Sequence, residues 1–495
     1  MRAATWSMPA IPGIMAPPTC SALSPQRSKL DAMSLPNEWR KEWGVLLIAA
    51  LVALPLFTPR LYAADELKYV SHLRSVYFDG DLTYDNDYYL FIERDPVAYG
   101  WVHSLADSPT QTGRFLNDAP IGAPLLWAPF YLVADIVVVA ANALGSEIPR
   151  DGISQPYVWA ISIGSLFWGM IGLALIYRAC RLFFGRWASQ LALLGIWFAS
   201  ALVFYLYITP PMAHANSIFA VALFTWLWLR NRDRQRTVRE WMGLGAAAGL
   251  MVLVRELNWL MMIPLLFDEA MKVLGRLRAG DARRLFEWVP GYATYGVSLA
   301  VVVAPQFVVY NALHGAFSPT PFVTEKFSYP QFALDVLFSA FHGLYSWTPV
   351  TLLATAGLYF VGRRHPVVAA GLGLAFVAQV LVVGSYLTWW GGAAFGARRF
   401  LNCTPLLALG LAALLDEVPT SKRRHATATI AFLIIWNFGL AIQYATGMIP
   451  RDQPVAMTTI AVNQFTEVPR RGANVLWRFF TDRWSLVENS PRESS

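Results

Sequence analysis

Apolar residues in this chain gather into long runs separated by short polar stretches. Eleven runs stand out, at 44–62, 157–177, 188–208, 212–229, 241–255, 257–270, 290–310, 346–361, 366–388, 400–415 and 426–446. A bilayer core about 30 Å thick takes about 20 helical residues to cross. Several runs are shorter than that, which predicts bent helices and tight hairpins. The pattern predicts an all-α polytopic membrane protein of about 11 transmembrane helices, with juxtamembrane helices in a large first outer loop at 63–156. A twelfth apolar stretch, 120–144, carries Pro120, Pro124, Pro129 and Asp135. We read it as a juxtamembrane or re-entrant element on the outer surface.

Charge sets the orientation. Of 495 residues only 14% are charged and 56% are hydrophobic, whereas a soluble chain carries about a quarter charged residues. The net charge of +7 sits in short loops: Arg40-Lys41, Arg178/Arg181/Arg186, Arg230 to Arg239, Arg276 to Arg284, Arg363-Arg364 and Lys422-Arg423-Arg424. That grouping points to membrane orientation and not to nucleic acid. All six clusters share the inner side if 120–144 does not cross. The expected organisation is a disordered cytoplasmic segment at 1–40, a transmembrane domain at 41–446 and an outer tail at 447–495. Residues 1–32 are either disordered or precede a true start at Met33. In the tail, Trp477, Phe480, Trp484 and Val487 fall on one helical face, which predicts an interfacial amphipathic helix. Cys20, Cys180 and Cys403 have no paired spacing, so neither a disulfide framework nor a zinc site is predicted.

On this topology the outer side collects the residues suited to chemistry. Asp65-Glu66 follow the first run within a few residues of the lipid boundary, either as a solvated loop start or as a reactive pair. Arg398-Arg399 lie among Gly391, Gly392 and Gly396, where glycine lets backbone approach an anion and arginine grips phosphate oxygens. Headgroup anchoring is the alternative for both. Arg255 either pairs with Glu256 or serves as a further phosphate ligand. His214 and His103 are accessory candidates for acceptor binding, with hydrogen-bonded packing the plainer role for His214. Asp79, Asp81, Asp85 and Asp87 lack the glycine and closing Glu of a calcium loop, which leaves a solvated acidic face. Metal dependence stays open: a divalent ion is neither required nor given a ligand set. No Walker-type loop and no G-x-G-x-x-G after a strand occurs.

The order of ADELKYV after the first run, NDAPIGAPLLWAPFY, PPMAHAN, GLMVLVRE and SYLTWWGGAAFGARRFLNCTPLL resembles bacterial polytopic glycosyltransferases of the GT-C fold, in particular the protein-mannosyltransferase-like and RgtA/B/C/D-like membrane enzymes. The resemblance spans most of residues 40–446. It implies inverting transfer of a hexosyl or pentosyl unit from a polyprenyl-phosphate-linked donor to a glycan, lipid or protein acceptor of the cell envelope. It places the site on the periplasmic face of the bacterial inner membrane. In that family an acid of the first outer loop acts as base or orienter; the matching position is Asp65, with Glu66 beside it. Two other classes compete. A transporter or flippase for a lipid-linked sugar predicts two related halves and midplane charges, and no convincing repeat appears. A non-catalytic scaffold predicts that the acids are dispensable.

Overall fold

The computed structural model describes residues 36–106, 109–317, 327–451 and 453–482. The expectations for residues 1–32, Cys20, Trp484 and Val487 fall outside them. Among the described residues the chain is helical, with no strand and a single isolated bridge between Phe327 and Tyr386. In chain order the principal helices begin with α1 Pro36–Ala53, α2 Ala64–Arg74, α3 Asp85–Arg94, α4 Gly122–Ala143, α5 Gln155–Arg181 and α6 Arg186–Phe198. Next come α7 His214–Arg230, α8 Val238–Val254, α9 Ile263–Arg278, α10 Val289–His314 and α11 Ala333–Phe338. The last six are α12 Val350–Arg364, α13 Pro366–Gly384, α14 Thr404–Asp416, α15 Arg423–Ala445, α16 Met457–Thr466 and α17 Val468–Thr481.

Each of the eleven apolar runs contains a helix. Among the described residues six stretches are long and apolar enough to cross a membrane unaided: Gly122–Ala143, Gln155–Arg181, Leu285–His314, Pro366–Gly384, Arg398–Asp416 and Thr420–Ala445. Eleven crossings would need shorter helices in addition. Large apolar side chains stand in the open on several of these helices. Val133, Ile136, Val297, Val301 and Ile435 are 60 to 70% exposed, as residues that face lipid tails are. Inside, small residues bring backbones together where lipid provides no hydrophobic drive between helices. A methyl on Gly357 of α12 would strike the Gly410 carbonyl of α14.

Charged ends mark one side of the bundle. Asp416, at the end of α14, accepts from the Gly185 N–H at 3.0 Å and from Arg364 at 2.8 Å, and Glu417 accepts from Arg364 at 2.8 Å. Arg423 covers Trp187 at 4.7 Å. Three basic clusters predicted for the inner side thus converge on one place. Arg398 begins the stretch that ends at Asp416, so it lies at the other end.

The first loop forms its own apolar core. Leu67, Tyr84, Tyr88 and Phe91 are at most 1% exposed, and they share a cluster with Ala123, Trp127 and Val138 of α4 and Tyr157 of α5. His72 fastens α2 to the chain before α4. Its Nε2 donates to the Ala119 carbonyl at 2.8 Å, which leaves Nδ1 to accept from the Tyr84 hydroxyl at 2.7 Å. Burial holds this imidazole down at about 4, so it is neutral at ordinary pH. The acidic run is only in part the solvated face expected: Asp79 and Asp81 are exposed, Asp85 is half-buried and Asp87 is buried. Asp87 is fully buried and accepts from Arg74 at 2.7 Å, Asp79 accepts from the same arginine at 2.9 Å, and Asp81 accepts from Ser75 at 2.9 Å. These acids tie the loop together.

Helix α4 has the length and apolarity of a span, yet both its ends meet the first-loop side. Gly122 abuts the backbone of Leu253 and Val254, beside Arg255. Beyond its far end, the Asp151 carbonyl accepts from Arg74 at 2.9 Å, and Gly152 packs on Tyr131, Phe78 and Arg74. Asp135, 3% exposed in the middle of the helix, accepts from Tyr77, Tyr157 and Arg150 at 2.6 to 2.9 Å. A 22-residue helix is about 33 Å long. It would reach the opposite surface if it stood upright.

Candidate active site

The site begins with the first turn of α2. Ala63 is extended (φ −94°, ψ 151°) and offers no side-chain acceptor for the helix start. Glu66 supplies one from the third helical position: its Oε2 accepts from the N–H groups of Tyr62 and Ala63 at 2.7 and 2.9 Å. This is half of a capping box, and it fixes where the helix begins. Glu66 is fully buried. Burial pushes its carboxyl up to about 8 against the pull of the Ala63 N–H, so it is mostly protonated at neutral pH.

Asp65, one residue earlier, points elsewhere. Its Oδ2 accepts from Arg398 Nη1 at 3.1 Å, with the carboxylate side chain 45% and the arginine 21% exposed. Burial pushes the Asp65 carboxyl up, but the charges of Arg398 and then Lys68 outweigh it and hold the group below the usual carboxylate range. Adjacent acids in one turn are thereby separated into an ionised Asp65 and a neutral Glu66, the pattern by which environment assigns acid and base roles.

Arginines approach Asp65 from two distant elements. Arg398 opens the tight turn Arg398–Cys403 ahead of α14. The loop before it turns on Gly391, Gly392 and Gly396, at φ 87°, 70° and 62°, a region that side chains other than glycine's rarely enter. A side chain on Gly391 would crowd Arg398 Nε at 3.3 Å. Arg255 caps α8 in extended conformation and donates to the His214 ring at 3.2 Å. The expected Arg255–Glu256 pair does not form; Glu256 instead accepts from the Tyr310 hydroxyl. An extended residue between two helical segments sends these neighbouring side chains in different directions. Arg399 diverges from Arg398, its guanidinium lying 4.1 Å over the Tyr386 ring with a buried, unpartnered Nη1.

The two histidines separate. His214, 1% exposed at the start of α7, packs its ring against Tyr205 at 4.5 Å and takes Arg255's hydrogen bond. His103 is exposed on the short helix His103–Ala106 and joins none of the site's hydrogen bonds. Among the described residues no group of three metal-ligating side chains forms. One pair was overlooked in the sequence: Lys68 donates to Asp118 at 2.6 Å. The spacing held the clue, because residues three apart on a helix share a face and Lys68 follows Asp65 by three.

Such a constellation holds a carboxylate against one arginine, with Arg255 and Lys68 adding positive charge nearby. Residues 153–311 match the family model described as dolichyl-phosphate-mannose-protein mannosyltransferase. Two solved structures are similar to the chain, both of ArnT from Cupriavidus metallidurans. The apo form has 15% identity and a TM-score of 0.47, and the form bound to undecaprenyl phosphate 14% and 0.48; each comparison covers 87% of this chain and 75% of that one. No curated protein sequence matches the chain.

Proposed function

We propose that this multi-pass membrane protein is an inverting glycosyltransferase. It takes a sugar from a polyprenyl-phosphate donor and passes it to a glycan, lipid or protein acceptor at the outer face of the bacterial inner membrane. The lipid tail stays in the bilayer, so the reacting phosphate and sugar sit at the interface, where α2 begins. Asp65 takes the acceptor hydroxyl's proton as that oxygen attacks the anomeric carbon from the face opposite the phosphate. The sugar–phosphate bond breaks, and polyprenyl phosphate leaves with the electron pair. Arg398, Arg399 and Arg255 balance the phosphate charge. Glu66 holds the helix start that aims Asp65.

The observation that carries this reading is the Asp65–Arg398 pair. A half-exposed pair contributes about 0.2–1 kcal/mol, whereas a hydrogen bond to a charged group contributes about 1.5–3 kcal/mol. A donor phosphate is therefore able to draw Arg398 away and free the carboxylate. Purified protein in nanodiscs, given polyprenyl-phosphate sugars, is expected to release polyprenyl phosphate in step with sugar transfer. A deletion strain is expected to accumulate the unused donor. Absence of both with every donor tried would overturn the proposal.

A further inference from the structure

Beside the Asp65–Arg398 pair lies a histidine that none of these roles uses. His342 is 2% exposed, and neither ring nitrogen has a hydrogen-bond partner. Buried polar side chains are hydrogen-bonded in the large majority of cases, so an imidazole unsatisfied at both nitrogens calls for an explanation. Its ring stacks on Trp347 with centroids 4.6 Å apart and leans on Phe341 at 4.8 Å. With Trp389, Trp390, Arg398 and Arg399 it lines one small cavity of about 10 Å³, room for roughly one oxygen atom.

The backbone adds an independent observation. Among the described residues His342 is the one non-glycine with positive φ, at 63°. That conformation is costly for side chains other than glycine's, although His enters it more readily than most. Its neighbours leave no alternative. Gly343 N–H donates to the Ser339 carbonyl at 3.1 Å, Phe341 N–H to Ser339 Oγ at 3.0 Å, and Trp347 Nε1 to the Ala340 carbonyl at 2.8 Å. A methyl on Gly343 would strike the Ser339 carbonyl. Glycine would occupy position 342 more cheaply. Strain of this kind is concentrated at ligand sites, where the surrounding structure maintains it.

We propose that His342 is a donor-binding residue whose ring N–H gives a hydrogen bond to a phosphate oxygen of the polyprenyl-phosphate donor, next to Arg398 and Arg399. The inference rests on the glycosyltransferase reading. Burial, and then the Arg398 charge, pushes the imidazole down to about 4, so at neutral pH one nitrogen carries a hydrogen and the ring adds no third positive charge. A neutral N–H gives the phosphate oxygen a hydrogen bond without adding charge beside Arg398.

The test is binding of a fluorescent polyprenyl monophosphate to the full-length protein in nanodiscs, with melting temperature recorded for each variant. His342→Gly keeps the left-handed backbone accessible and removes the ring N–H, so affinity is expected to fall about 10- to 100-fold. His342→Asn keeps an N–H donor, tolerates positive φ and is expected to retain more affinity than His342→Phe. Wild-type affinity in His342→Gly, or equal affinity in the Asn and Phe variants, would overturn the assignment. Failure of the wild type to bind, with no sugar transfer from any donor, would overturn the glycosyltransferase reading itself.

Discussion

Arg398 Nη1 lies 3.1 Å from Asp65 Oδ2, joining two residues 333 positions apart. One begins the first helix after the first apolar run; the other ends a glycine-rich loop between two late ones. Sequence position alone suggests a separate task for each, proton acceptance for Asp65 and phosphate binding for Arg398. Under the proposed function their contact couples the tasks, because a phosphate that recruits Arg398 leaves the carboxylate unpaired and more basic.

Asp65→Asn keeps size and the helix start while removing basicity. Turnover is expected to fall about 10²- to 10⁴-fold, with little change in melting temperature. Near-normal turnover would remove Asp65 from the role of base.

Arg398→Gln tests the coupling through pH. Without the arginine, burial dominates at Asp65 and its carboxyl rises. The acid limb of kcat/KM should therefore move to higher pH, and the donor KM should rise about 10- to 100-fold. An acid limb that stays in place would show that the pair does not control the carboxylate.

Glu66→Gln addresses the buried acid. Its folded value of about 8 lies above the 4.5 of an exposed Glu, so between these values the folded state holds a proton that the unfolded state has released. Wild-type stability should decline as pH rises from about 5 to 8. The Gln variant lacks this decline, so its melting temperature should gain on the wild type across that window. Parallel curves would mean that Glu66 is ionised in the fold.

Helix α4 is expected to have both ends on the side of the first loop. In a variant lacking Cys20, Cys180 and Cys403, single cysteines placed at Glu93 and Glu147 should be labelled by a membrane-impermeant reagent from the same side. Labelling from opposite sides would make α4 a full crossing and reverse the orientation of every later helix.

Hydrophobic patterning by itself determined the helical class of this protein and a helix within each of its eleven apolar runs. These are properties of contiguous residues: about 20 apolar positions in a row make a helix suited to lipid, whatever they pack against. It also made Asp65, Arg398, Arg399 and Arg255 conspicuous, since charge beside lipid is costly. What they touch was decided by the tertiary structure alone. Arg255 and Glu256 are adjacent in sequence, yet an extended backbone at Arg255 sends one side chain to His214 and the other to Tyr310. Asp65 and Glu66 look equivalent on paper and differ because one faces Arg398 while the other is buried against its own helix start. Asp87 reads as solvent-facing like Asp79 and Asp81, yet the fold buries it against Arg74 of α2. His342 carried no sequence signal, because an unsatisfied ring and a left-handed backbone exist only once Ser339, Trp347 and the Arg398 loop have closed around it.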